Sequence, residues 1–143
     1  MAKNSQVIFM KGKEAALKSL FENKFKYLAI GYDPSEEGLE DAYDIDIVTA
    51  GFQELSSSDG YERIPLSVLP SDTTPDDENK KVLIKLSATL PSEKISNHKI
   101  NQIALVDNQE INPADTNYFS ATTFPTFNKT ENSSITFVIG VRL

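Results

Sequence analysis

Lys81-Val82-Leu83-Ile84-Lys85-Leu86-Ser87-Ala88-Thr89-Leu90 is the stretch on which the fold turns. Val82, Ile84, Leu86, Ala88 and Leu90 fall on one side of an extended chain, and Leu83, Lys85, Ser87 and Thr89 on the other. Successive side chains of a strand point to opposite faces, so this period of two reads as a long half-buried β-strand.

The chain that follows repeats the pattern. Residues 98–107 set Ile100, Gln102, Ala104 and Val106 against Asn101, Ile103 and Leu105. Residues 118–126 and 134–143 give two further strands. Turn residues separate them at the spacing of an all-β sandwich.

Upstream the pattern is more mixed. Val7 to Met10 reads as a short first strand, and residues 13–23 as the one amphipathic helix. Ala15, Ala16, Leu17, Leu20 and Phe21 lie on one side of it, with Lys13, Glu14, Lys18 and Glu22 opposite. Residues 25–32 read as a buried strand that Asp33-Pro34 stops, because proline cannot donate to a ladder. Residues 39–55 read as a loop or turn followed by an extended segment. Ser56 to Gly60 is a turn cluster. Residues 61–69 form a strand that Pro65 places at an edge or bulge, and residues 70–79 a polar, mobile loop open to proteolysis. The expectation is one mainly β domain over residues 1–143. It is an antiparallel β-sandwich (25–143) with a short N-terminal α-helix, in a strand-and-helix docking region (1–24).

Composition narrows the partners. The 143 residues contain no Cys, no Trp and one His, and carry a net charge of −7. Residues 1–32 hold six Lys against two Glu. Residues 33–46 hold seven acids and no base, a charge equal to that of the whole chain. A nucleic-acid partner is not expected, since neutralising phosphates takes clustered Lys and Arg. The acidic stretch reads as a solvated loop, a cation site or a docking surface for a basic partner. No apolar run reaches the ~20 residues of a membrane span, and the N-terminal run is too short for a signal-peptide core.

Catalytic machinery is not evident. His98 is the only histidine, at the start of a strand, and no Gly-x-Ser-x-Gly elbow accompanies it. A hydrolase using His98 is therefore disfavoured. One His without Cys excludes the usual zinc sets, and no glycine-rich phosphate loop is present. Asp44 and Asp46 would share one strand face, whereas a glycosidase pair flanks its substrate from different elements. Asn128-Lys129-Thr130 and Asn132-Ser133-Ser134 match the N-glycosylation pattern without a secretory signal to give it meaning. One register of the acidic stretch resembles a calcium loop. Asp33, Ser35, Glu37, Asp41 and Asp44 occupy positions one, three, five, nine and twelve, with Gly38 at six. Asp44 is shorter than the usual Glu, and Pro34 stands at position two. No catalytic residue, cofactor or metal is assigned; those five oxygen donors are the cation candidates.

A further pattern runs through the last strands. Ile100-Asn101-Gln102-Ile103-Ala104-Leu105-Val106-Asp107 leads into a loop, followed by Tyr118-Phe119-Ser120-Ala121-Thr122-Thr123-Phe124-Pro125. Then come Phe127-Asn128-Lys129-Thr130 and Ser134-Ile135-Thr136-Phe137-Val138-Ile139. With Tyr27 to Gly31, Tyr61 to Leu66 and Lys81 to Leu90, this resembles the N-terminal attachment domain of bacteriophage tail-collar and tail-fibre proteins. Ala104 stands where that family tends to have Gly, and Val106 where it tends to have Phe.

The resemblance implies a virion structural protein, assembled in the host bacterial cytoplasm and present in many copies or as a homo-oligomer. Its partners would be other virion proteins, not nucleic acid or membrane. Family members continue into a long trimeric fibre whereas this sequence stops at Leu143, so the expectation is a stand-alone adaptor of tail, baseplate, neck or capsid. Its contacts are expected through the helix (Leu17, Leu20, Phe21), the acidic loop (Glu36, Glu37, Glu40, Asp41) and the last strand (Ile135, Phe137, Ile139, Val141), with the Pro65 strand as another edge. A carbohydrate- or calcium-dependent binding module is the alternative, with Tyr43, Phe52 and Tyr61 as the aromatics to inspect.

Overall fold

The computed structural model describes residues 10–34, 52–69, 74–76, 81–95 and 97–142. It is mainly β, with two antiparallel sheets and a single helix: a β-sandwich with one short helix. Helix α1 spans Met10–Asn23. The strands are β1 (Tyr27–Gly31), β2 (Ile64–Pro65), β3 (Ser67–Val68), β4 (Thr74–Asp76), β5 (Lys81–Leu90), β6 (His98–Val106), β7 (Tyr118–Lys129) and β8 (Ile135–Arg142). The first sheet runs β2-β1-β6-β7. In the second, β8 pairs along β5 from Leu83 to Leu90, so β3 and β4 share the other edge of β5.

β2 and β3 belong to different sheets, yet Leu66 alone separates them. The strand expected over 61–69 is thus a corner that crosses from one sheet to the other. Pro65 lies on the β2 edge, opposite Tyr27, where its missing N–H costs nothing. The Leu66 N–H donates to the Lys26 carbonyl (2.7 Å) at the crossing.

The alternation of β5 is realised: Ile84, Leu86, Ala88 and Leu90 are buried. They meet Leu28 and Ile30 of β1, Ile103 and Leu105 of β6, and Leu17 and Phe21 of α1 in one core. Each of the Leu, Ile and Phe side chains contributes roughly 1.5–3 kcal/mol on full burial. Phe21 meets Phe119 of β7 edge-on, with ring centroids 5.0 Å apart.

Several expectations need correction. Met10 lies in α1 rather than in a strand; residues 7–9 fall outside the described ones. Ala15 and Ala16 are exposed, because the inward stripe is the narrower one through Leu17 and Phe21, four apart. Thr74–Asp76, read as loop, pairs with Leu83 to Lys81. β6 is buried on both faces, with Ala104 and Val106 packed against Ala29 on the side away from the main core. β7 extends to Lys129, because it absorbs Pro125 in an irregularity: between the pairs Ile100↔Phe127 and Gln102↔Thr123 it carries more residues than β6.

Buried polar groups hold these irregular places. The Asn101 amide treats Asp33 as a ladder partner, accepting from its N–H (2.9 Å) and donating to its carbonyl (2.9 Å). It also donates to Thr126 Oγ1 (3.2 Å) in the β7 irregularity. Lys129 is wholly enclosed, and its ammonium donates to the carbonyls of Ser92 (3.0 Å) and Thr130 (2.9 Å). In the same turn Ile95 takes φ 54°, a left-handed conformation costing a β-branched residue on the order of 1–3 kcal/mol. Its side chain is buried, which supplies a comparable gain of roughly 1.5–3 kcal/mol.

Candidate functional site

The outer edge of β1 carries the densest polar chemistry in the described residues. β2 covers its first part, pairing Tyr27↔Pro65 and Leu28↔Ile64. Residues 52–55 cover its end through the bridge Gly31↔Glu54. Tyr32 N–H donates to the Gln53 carbonyl and Leu55 N–H to the Ile30 carbonyl, both at 3.0 Å. Gly31 is required for this approach: a Cβ there would stand 2.5 Å from Gln53 O and 2.9 Å from the Phe52 ring.

Between these stretches the Ile30 N–H faces a gap, and the Tyr61 hydroxyl fills it. The hydroxyl accepts from Ile30 N–H (2.9 Å) and donates to Glu54 Oε2 (2.5 Å). Arg63, two residues on in the segment that leads into β2, grips the same carboxylate with both arms of its fork: Nε to Oε2 at 2.8 Å and Nη2 to Oε1 at 2.7 Å. Its Nη1 donates to the Asn108 carbonyl (2.8 Å) and Thr116 Oγ1 (2.9 Å), tying the β6–β7 loop to the cluster. The side chains of Arg63 and Glu54 are 0% and 8% exposed.

The electrostatics follow from this enclosure. Burial, then the hydrogen bond to Glu54 and its charge, push the Tyr61 phenol far above its ordinary range. The Glu54 hydrogen bond raises Arg63 further, against the opposing effect of burial. A phenol held protonated, bonded on both sides, is no base. Both carboxylate oxygens of Glu54 are engaged, as is each nitrogen of the guanidinium. An open groove of about 520 Å³, lined by Ser57, Glu62, Gln109, Glu110 and Ile111, runs past Tyr61 and Arg63. The polar atoms of both are taken up by hydrogen bonds within the cluster. The triad is built to clamp.

The expected site residues lie elsewhere. Of the calcium candidates, Asp33 is described, and its backbone is held by Asn101. Ser35, Glu37, Asp41 and Asp44 lie outside the described residues, as do the docking acids Glu36 and Glu40, and Tyr43. Among the described residues no group of three or more His, Asp or Glu could hold a metal ion. No described helix is long and apolar enough to cross a membrane. His98 begins β6, with Nδ1 2.8 Å from the Lys99 carbonyl and its ring edge-on to Tyr32. Phe52 is half-buried and packs on Tyr118; Tyr61 is 1% exposed.

The expected contact residues turn inward. Leu17, Phe21 and Val141 are buried in the core, and Leu20, Ile135, Phe137 and Ile139 pack against it. The sandwich core claims the apolar face of each element, so the outward side of β8 is Thr136, Val138 and Gly140. Val138 is 62% exposed, and Thr136 shares a hydroxyl contact of 3.0 Å with Thr89.

Sequence reasoning missed the Glu54–Tyr61–Arg63 cluster, which offers one faint signal: a Tyr and an Arg two apart beside a Pro-containing strand. Comparison with protein-family models, with curated proteins and with solved structures returns no match.

Proposed function

We propose that this chain is a non-enzymatic structural subunit of a bacteriophage virion, a small adaptor that attaches parts of the tail, baseplate, neck or capsid through protein–protein contacts. The observation that carries this reading is the edge of β8: eight residues that pair with β5 alone among the described residues, without proline or break in register. A long, flat, apolar edge left bare invites aggregation, and a subunit whose edge a neighbour covers avoids it. The resemblance of its strand pattern to tail-collar attachment domains, read from the sequence, supports the same reading. The inward-turned polar cluster favours a part that holds its shape over one that turns over substrate. A glycan-binding reading loses Tyr61, whose ring is buried.

Mass spectrometry of gradient-purified, salt-washed particles tests the proposal. The expected result is this chain in several copies per particle. Its absence from washed particles, with abundant chain in the lysate, would overturn it.

A further inference from the structure

The sheet edges are guarded unequally. β2 carries Pro65, β4 carries Pro75, and β7 carries Pro125 and two register irregularities. Proline, bulges and charges are the devices that keep edges from pairing. β8 has none of them from Ile135 to Val141, a run without charge, and its ladder to β5 is unbroken. β7 does not run alongside it: the two strands meet through side chains, as between Phe124 and Phe137.

We propose that β8 pairs with β8 of a second copy of this chain, antiparallel about a two-fold axis at Val138, joining two sheets into one. This rests on reading the chain as an assembly subunit, and it names the partner. Three observations select a second copy. First, the register is self-complementary. With Val138 opposite Val138 of the second copy, Thr136 meets Gly140 on the outer face, and Phe137 meets Ile139 and Ile135 meets Val141 on the inner face. Second, Ile135, Phe137 and Ile139 are only half-buried in one chain, so each leaves apolar surface for the other copy to cover. Third, two chains of net charge −7 repel over most approaches. This approach brings together two runs, 135–141, that carry no charge, and Lys85 sits one strand in, opposite Gly140.

The chain has no cysteine, so a single introduced thiol reports the pairing. Antiparallel partners stand roughly 4.5–5.5 Å apart at Cα, within the usual disulfide span of ~4.4–6.8 Å. Ser87, opposite Val138 on β5, would face its copy across three strand spacings, about 14 Å. Under copper phenanthroline in air, Val138→Cys is expected to convert mostly to a covalent dimer, and Ser87→Cys to give only a trace. The unmodified chain should sediment at twice its 15.9 kDa, and Val138→Lys at the monomer mass. A monomeric unmodified chain, or equal cross-linking of both cysteine variants, overturns the proposal. Chain absent from particles that still cross-links through Val138→Cys sinks the virion reading and leaves this pairing standing. Chain present in particles but monomeric in solution does the reverse.

Discussion

The outer edge of β1 and the outer edge of β8 pose one problem, a row of backbone donors and acceptors at the rim of a sheet. β1 is closed from within its own chain. Two short stretches pair with it, and a phenol, a carboxylate and a guanidinium seal the interval between them. β8 carries no such closure among the described residues, and its outward side chains are Thr136, Val138 and Gly140. The difference teaches where a small sandwich spends its polar residues. Ionic groups are buried at the edge that must never open, and the other is left plain enough to pair.

The contrast can be broken first at the clamp. Arg63→Ala leaves the Glu54 carboxylate buried without its partner, an expected loss of about 3–5 kcal/mol in urea unfolding. Gly31→Ala drives a Cβ into the Gln53 carbonyl and should cost about 1–3 kcal/mol by the same measurement. Tyr61→Phe orphans the Ile30 N–H at an enclosed edge, an expected loss of about 1–3 kcal/mol.

The same phenol gives a pH signature. Its folded-state pKa is raised, chiefly by burial, above the unfolded value near 10, so folding favours the protonated form. Its contribution is whole below about pH 10 and is lost as the pH climbs further, because the unfolded chain ionises first. The stability gap between the unmodified chain and Tyr61→Phe should therefore narrow above pH 10. A gap that stays constant would contradict this linkage. The smallest effect is at the other edge. Val138→Lys should change stability by no more than about 0.5 kcal/mol, since the site is exposed, while abolishing self-association.

What could be read from sequence follows from where each signal resides. β5 and β8 were legible because burial on one face prints a period of two. β6 printed the same alternation, but enclosure on both faces is a property of its neighbours, Ala29 and Ala121 among them. The corner at Leu66 was legible only as a proline in a strand, because the choice of sheet is made by distant partners, Tyr27 on one side and Ser87 on the other. The clamp was least legible. Arg63 reads as a surface base until Glu54, Asn108 and Thr116 are brought around it from three other places in the chain. Lys129 is the same case, since the carbonyls that accept its protons leave no mark in composition. The acidic stretch was the plainest feature of the sequence, and residues 35–51 lie outside the described ones.

The crossing at Leu66 has a mechanical consequence. One covalent chain is woven into both sheets within five residues, so along that side the sandwich is bound like a book at its spine. The facing side, where β7 and β8 meet through side chains without a shared ladder, is the fore-edge. Parting the leaves at the fore-edge would disturb side-chain packing and strain the turn 130–134 that links β7 to β8, whereas parting them at the spine would also break the β2 and β3 ladders.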